Sequence, residues 1–459
     1  MHTTIAALST FPGTSAVGII RISGPDVFNA VEKVFSFSSG EKSISNAKPR
    51  FAYHGTISDE KSVIDDVLLI LFRAPFSYTG EDMAEIYCHG NPLILNKVLD
   101  MLFENKTVPA EPGEFTKRAF INGKIDLSQA EAVAGIISAE NEAAVRINAA
   151  QLSGREKESI RSLSKKIKKI LASLEIEIDF AYEDIQKTSY DSLIRSISEC
   201  ISSINTLIKG ADEGIMLKNG IKTVLTGRPN SGKSSILNAV LKKDRAIVTS
   251  TPGTTRDTIE SPLTIDGLPF IFIDTAGIRD SMDIIETEGI NRAKKALESA
   301  DVIINVIDGS TGLSDKDFDP AAASPDKRII FAVNKSDLDL KTSVEEVKRK
   351  VHENASVILI NTTEKNGVSG LTKELKNIIM NKEFIPVEEI TVSSRRHKQA
   401  LLKANKSLEN ALNACREKMS FEFPAADIKE AVKHIQSILG GVSSDDILEE
   451  IFSNFCIGK

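Results

Sequence analysis

The sequence predicts a multidomain protein of mixed α+β and α/β class, with an N-terminal α+β domain, a discontinuous helical domain, and an α/β domain inserted into the helical one. Three observations predict this. Short β-like runs punctuated by Pro and Gly fill the first hundred or so residues, and from about Leu127 they give way to long apolar stripes at helical spacing. Strand and helix signals then alternate between about Asn219 and Met380, as in a mainly parallel sheet with helices on its faces. Beyond about Val392 the helical pattern returns. Each helical stretch is incomplete as a bundle, so the two are expected to pack on each other, with the α/β unit between them as an insertion. The expected segments are 1–118, 119–215, 216–382 and 383–459, and 459 residues suit about three domains.

Taken in order, Ala16–Ile22 and Val67–Phe72 are the clearest strands of the first segment. Ala130, Val133, Ile136 and Ile137 recur at helical spacing, as do Ile160, Leu163, Ile167, Ile170, Leu171 and Leu174. In the third segment, Ile221–Leu225, Phe270–Ile273, Val302–Ile307, Ile329–Val333 and Val357–Ile360 are the core strands, and Ser235–Leu241 is helical. The chain closes with a helical run, Ile447–Phe455.

Three motifs fall on that strand framework. Gly227-Arg228-Pro229-Asn230-Ser231-Gly232-Lys233-Ser234 follows a strand and opens a helix, the context of a P-loop. Its glycines let backbone N–H groups curl around phosphate oxygens, Lys233 adds a point charge, and Ser234 offers a hydroxyl to Mg²⁺. Ser231 and Gly232 belong to the cradle, and Ser235 continues it. Asp274-Thr275-Ala276-Gly277 ends a second strand, where the carboxylate can hold the Mg²⁺ water shell. Asn334-Lys335-Ser336-Asp337 follows a third, and the Asp337 carboxylate can accept two N–H donors that guanine presents and adenine does not. Such recognition discriminates by roughly 10⁴-fold or more, since a buried acceptor without its donors is costly. GTP is the expected ligand, and the inserted unit is a P-loop (Ras-like) G domain.

Many GTPases place a glutamine directly after the Asp-x-x-Gly turn to orient the attacking water; Ile278 stands here and cannot. Another group must position water, and another positive charge must face the β–γ phosphates. The side-chain carbonyl of Asn230 can help hold a monovalent cation in that role. Thr249–Asp257 is the expected first switch, with Thr255 a second protein ligand for Mg²⁺. Glu286 is a candidate for positioning water from a second switch.

Composition narrows the classes further. No apolar stretch is long enough to span a membrane, no basic and apolar leader opens the chain, and cytoplasm is the expected location. Cys88, Cys200, Cys415 and Cys456 lie far apart without a CxxC pair, against a zinc site or disulfide framework. Cys456 is expected to be a small buried apolar residue. A net charge of −7 gives no global attraction for nucleic acid, so any RNA contact must be local. Lys165, Lys166, Lys168 and Lys169, and Arg395, Arg396 and Lys398, are the local basic clusters; a solvated helix face accounts for them equally well.

Beyond these motifs, Val17-Gly18-Ile19-Ile20-Arg21-Ile22-Ser23-Gly24, Tyr78-Thr79-Gly80-Glu81-Asp82, Cys88-His89-Gly90, Pro112–Phe120, Asn122–Leu127 and Phe455-Cys456-Ile457-Gly458-Lys459 run in order through the chain. In these elements the chain closely resembles the MnmE (TrmE) family of tRNA-modification GTPases over nearly its full length. The resemblance implies a folate-binding N-terminal domain that forms a homodimer, a helical domain split by the G domain, and K⁺-stimulated GTP hydrolysis. It implies Asn230, Thr249, Thr251 and Thr254 for K⁺, Ser234 and Thr255 for Mg²⁺, and a catalytic set of Glu286, Lys233 and Thr255. It implies Arg21, Glu85, Lys124 and Lys459 for a tetrahydrofolate derivative in its 5-formyl or methylene form. It further implies a heterotetramer-like complex with the flavoprotein MnmG, which brings FAD, and installation of a 5-carboxymethylaminomethyl or 5-aminomethyl group on the wobble uridine of tRNA.

Two departures from the family pattern stand out. Asn361-Thr362 occupies the last guanine-contacting loop where Ser-Ala is usual, and Asn91 follows Gly90 where another Gly is frequent. The competing expectations are a ribosome-assembly or RNA-binding GTPase switch without a modification role, and a folate-dependent one-carbon enzyme with an appended regulatory GTPase.

Overall fold

Alternating apolar and polar residues draw Thr4–Leu8 (β1), Val17–Ser23 (β2), Phe35–Phe37 (β3), Ala52–Ser58 (β4), Val63–Phe72 (β5), Met83–His89 (β6) and Thr107–Pro109 (β7) into one sheet of order β3-β4-β5-β6-β2-β1-β7. In β5 the period of two is explicit: Asp65, Val67, Leu69 and Leu71 are buried while Asp66 and Leu68 are exposed. Every pairing is antiparallel except that of β1 with β7. Val27–Val34 (α1) and Pro92–Phe103 (α2) cover the apolar face. Asn91 caps α2, its side-chain oxygen accepting from the Leu93 N–H, with Pro92 at the first helical position. That capping role accounts for asparagine at this position.

The computed structural model describes residues 3–38, 43–59, 62–179, 189–243, 260–274, 294–318, 327–352, 355–364, 366–380, 390–441 and 445–459. The chain divides into two units. The first comprises Met1–Ile137, Gln151–Ile201 and Lys403–Lys459. It holds the sheet above together with Glu114–Ile121 (α3), Leu127–Ile137 (α4) and Arg155–Asp179 (α6). Residue 118, the first expected boundary, sits inside α3 because that helical run continues past it. In α6 the buried positions Ile160, Leu163, Ile167, Ile170 and Leu174 form one stripe. It packs on Glu422–Ile438 (α12), which buries Ile428, Ala431, Val432, Ile435 and Ile438. Asp445–Ser453 (α13) sends Phe452 against α4 residues Leu127 and Ala130.

The second unit, Ser138–Ala150 with Ser202–Leu402, contains Glu142–Leu152 (α5) for most of its length. Tyr190–Asn219 (α7) and Arg395–Arg416 (α11) each contribute residues to both units. Its sheet joins Ile221–Gly227 (β8), Glu260–Ile265 (β9), Leu268–Asp274 (β10), Val302–Asp308 (β11), Arg328–Asn334 (β12) and Ser356–Leu359 (β13) in the order β13-β12-β11-β8-β10-β9. All neighbours are parallel except β9 with β10. Buried on both faces, β11 alternates between two cores: Val302, Ile304 and Val306 join one, Ile303 and Ile307 the other. Each such side chain contributes about 1.5–3 kcal/mol by leaving water. Lys233–Lys243 (α8), Val344–Lys350 (α9) and Ser369–Ile379 (α10) complete the unit's described helices. Ser343 starts α9 with a reciprocal capping box to Glu346. Among the described residues no helix is long and apolar enough to cross a membrane.

Candidate functional site

Strand β8 lies between β11 and β10, so the chain order reverses around it. Open α/β sheets bind ligands outside the carboxyl ends of strands at such a switch point. The loop Gly227–Gly232 leaves β8 there and opens α8 at Lys233. Gly232 has φ +99, and a Cβ on it would collide with the Asn334 amide nitrogen, so only glycine permits this approach. Asn334 Nδ2 in turn donates to the Ser231 carbonyl at 2.9 Å, tying the loop after β12 to the loop after β8.

Inside the loop, Lys233 Nζ donates to the Gly227 and Arg228 carbonyls at 3.1 and 2.9 Å. Ser234 Oγ donates to Asp274 Oδ2 at 2.9 Å, so the hydroxyl and carboxylate expected around Mg²⁺ are adjacent. That oxygen-only pair fits a hard divalent cation. Ser231 Oγ and Asn334 Oδ1 are buried without a hydrogen-bond partner among the described residues. Two orphaned polar atoms in facing loops fit a ligand rich in hydrogen-bonding groups. Asn230 and Asp337 are exposed, as is Ser235 in the first turn of α8.

Sequence reasoning missed Asp308. Its carboxylate pairs with Lys335 at 2.6 Å and accepts from the Ser310 hydroxyl. Partial burial pushes this carboxyl up, but the bonds from Lys335 and Ser310 outweigh it and hold the group below its ordinary value. The available signal was the strand end itself, since Asp308 pairs directly with Asn334 in the β11–β12 register. Asn361 is held by its own loop, its Oδ1 accepting from Thr363 N–H and Oγ1 at 2.9 and 2.7 Å. Thr249, Thr251, Thr254, Thr255, Thr275, Ala276, Gly277, Ile278 and Glu286 lie outside the described residues.

A second constellation occupies the N-terminal sheet. Residues Arg21 on β2 and Glu85 on β6 are paired in register, and the guanidinium binds Glu85 Oε1 through Nε at 3.0 Å and Nη2 at 2.8 Å. The other carboxylate oxygen accepts from Tyr87 at 3.0 Å. Tyr78 and Phe115 lie 5.4 and 5.8 Å from the guanidinium carbon. The C-terminal tail folds back onto this cluster: Arg21 Nη1 donates to the Gly458 carbonyl at 3.4 Å, and Phe115 N–H to the Lys459 carbonyl at 3.2 Å. Burial, followed by the nearby Arg21 charge, pushes the Lys459 ammonium below its ordinary value. Lys124 stands apart, its ammonium donating to the Pro75 carbonyl at 2.9 Å. The structure thus brings Arg21, Glu85 and Lys459 together, and gives no bond from Lys124 to any of them. Tyr87 was legible only as the i+2 neighbour of Glu85 on the same strand face.

Contrary to the expectation of a buried apolar residue, Cys456 is exposed, because the tail docks through its backbone carbonyls and leaves this side chain outside. Cys88, by contrast, is buried, and burial together with Asp65 pushes its thiol up to about 12.

Comparison with known proteins places these features in a wider set. Residues 127–456 match the MnmE helical domain, and residues 4–124 match the GTP-binding protein TrmE N-terminus. The chain is 42% identical to the tRNA modification GTPase MnmE of Clostridioides difficile over 99% of both chains. It is 41% identical to that of Aquifex aeolicus over the whole of both, and 39% identical to that of Natranaerobius thermophilus over 99% of both.

Proposed function

The chain belongs to the MnmE (TrmE) family, and from that premise we propose that it is a cytoplasmic, K⁺-stimulated GTPase acting in modification of the tRNA wobble uridine. The observation that carries the GTPase reading is the hydrogen bond from Ser234 Oγ to Asp274 Oδ2 at the switch point of the second sheet. It brings the P-loop hydroxyl and the Asp-x-x-Gly carboxylate to one place. Ser234 and Thr255 would hold Mg²⁺, which when bound neutralises charge developing on the phosphates. Lys233 contributes its own positive charge, and its ammonium would exchange two loop carbonyls for phosphate oxygens. Asp337 and Asn334 would select guanine. Asn230, with Thr249, Thr251 and Thr254, would hold K⁺, and Glu286 would orient the attacking water.

Support for a one-carbon site comes from Arg21, Glu85 and Lys459. A reduced folate carries a carboxylate tail, which suits Arg and Lys, and a pterin edge of N–H donors, which suits Glu85. Lys124 would join this set on ligand binding. In this reading the segments 1–118, 119–215, 216–382 and 383–459 are the folate-binding and dimerising domain, the two helical parts and the G domain between them. The homodimer works with the flavoprotein MnmG, which supplies FAD, to install the 5-carboxymethylaminomethyl or 5-aminomethyl group. Nucleotide turnover would drive conformational change in the complex.

Asp274→Ala tests the whole reading. Mass analysis of wobble nucleosides from cells carrying this variant should show loss of the uridine modification, and purified variant should turn over GTP about 10²-fold or more slowly. Normal modification levels would defeat the tRNA assignment.

A further inference from the structure

Between Glu158 and Glu175 the chain carries Arg161, Lys165, Lys166, Lys168 and Lys169 and no carboxylate, within a protein of net charge −7. All five side chains are exposed on α6. Four of them, Arg161, Lys165, Lys168 and Lys169, fall at i, i+4, i+7 and i+8, which places them on one face in a row about 12 Å long. This row forms one wall of a cavity of about 660 Å³, whose other side includes Gln436 and Leu439 from the end of α12 and its C-cap.

We propose that this cationic groove between α6 and α12 binds the phosphodiester backbone of tRNA. The proposal rests on the tRNA reading above and assigns its RNA contact to a defined surface. Charge is the first reason: the one carboxylate in the lining, Asp126, is already engaged by Lys157 at 3.2 Å, by the Ser128 hydroxyl and by the Gln129 N–H. It leaves the field of the row positive. Spacing is the second. A row about 12 Å long can face about two or three consecutive phosphates of one nucleic-acid strand.

A protein partner fits less well. Protein interfaces are depleted in lysine and are anchored by aromatic side chains, whereas this lining contains three lysines and no aromatic residue. A free phosphate or mononucleotide fits less well too, because such ligands need donors converging on one point, and these cations are strung along a helix. The contact is to backbone more than to bases, since the lining holds no aromatic side chain on which a base could stack and four of its cations follow one another along a helix face.

The test uses full-length protein and transcribed tRNA. Lys165→Ala/Lys168→Ala/Lys169→Ala should weaken tRNA binding about 10-fold or more and reduce the slope of log affinity against log salt by about 2. Basal GTP turnover and thermal unfolding should stay at wild-type values. Replacing the same three residues by arginine should preserve both affinity and slope. Wild-type affinity and slope in the alanine variant would overturn the inference while leaving the tRNA reading intact. So would displacement of tRNA by millimolar inorganic phosphate, or loss of binding to a protein partner with tRNA affinity unchanged. If the wild-type chain bound no tRNA at any salt concentration, the inference and the reading beneath it would both fall.

Discussion

Single residues in this chain carry testable electrostatics. His89 is exposed at its ring but donates through Nδ1–H to the buried Asp65 carboxylate at 2.6 Å, and its backbone N–H donates to the other Asp65 oxygen at 2.8 Å. The hydrogen bond to Asp65, and then its charge, raise the imidazole above its ordinary value. A raised histidine favours the fold below its unfolded pKa, and that contribution is lost as pH rises through the folded value. NMR titration should therefore give a His89 midpoint above about 6.5, and Asp65→Asn should bring it down; an unmoved midpoint would show that the contact does not form. Asn230 offers a second test. Its φ of +62 is left-handed, a region Asn and Gly tolerate and Ala does not, so Asn230→Gly removes the carbonyl with the backbone preserved. If this side chain holds K⁺, wild-type GTP turnover should fall about 10-fold or more when Na⁺ replaces K⁺, and Asn230→Gly should abolish the difference. Equal wild-type rates in the two salts would remove the cation site.

At the scale of elements, the C-terminal tail shows how far a short segment depends on one residue. Gly458 has φ +92, and a Cβ there would collide with the Leu8 carbonyl, while Ser9 Oγ donates to the Gly458 carbonyl at 3.1 Å. Gly458→Ala should cost about 1–3 kcal/mol of local strain and is relieved by undocking the last residues without unfolding the sheet. Carboxypeptidase release of Lys459 should then accelerate about 5- to 150-fold, with the melting temperature nearly unchanged. The same tail marks the limit of what the sequence discloses. Strands, the P-loop and the stripe of α6 were legible because each depends on neighbours within a few residues. Val302–Ile307 as a strand, for example, needs only its unbroken apolar run. The meeting of Arg21 with Gly458 joins positions 437 apart, and nothing local encodes it. Similarly Asn91 read as a departure from pattern until its capping bond to α2 was visible, and Cys456 read as buried because composition alone cannot show which face of a docked tail meets solvent.

For the whole molecule, the division into two units with separate cores has a thermodynamic consequence. The nucleotide-loop residues Lys233, Ser234, Asp274 and Asn334 all belong to the unit containing Ser202–Leu402, whereas Arg21, Glu85 and Lys459 belong to the other. A chain of this kind need not unfold in a single two-state step, and calorimetry should resolve more than one component. A ligand that binds only a folded unit stabilises that unit by about 2.7 kcal/mol at a hundredfold excess over its dissociation constant. Mg²⁺ with a non-hydrolysable GTP analogue should thus raise one component and leave the other in place, and a reduced folate should do the converse. Ile304→Ala, which empties a buried site on β11, should lower the nucleotide-responsive component by about 2–5 kcal/mol and spare the folate-responsive one. The two ligands then serve as labels: if both moved the same component, the nucleotide and tail sites would share one cooperative fold, and the assignment of separate cores to separate ligands would be wrong.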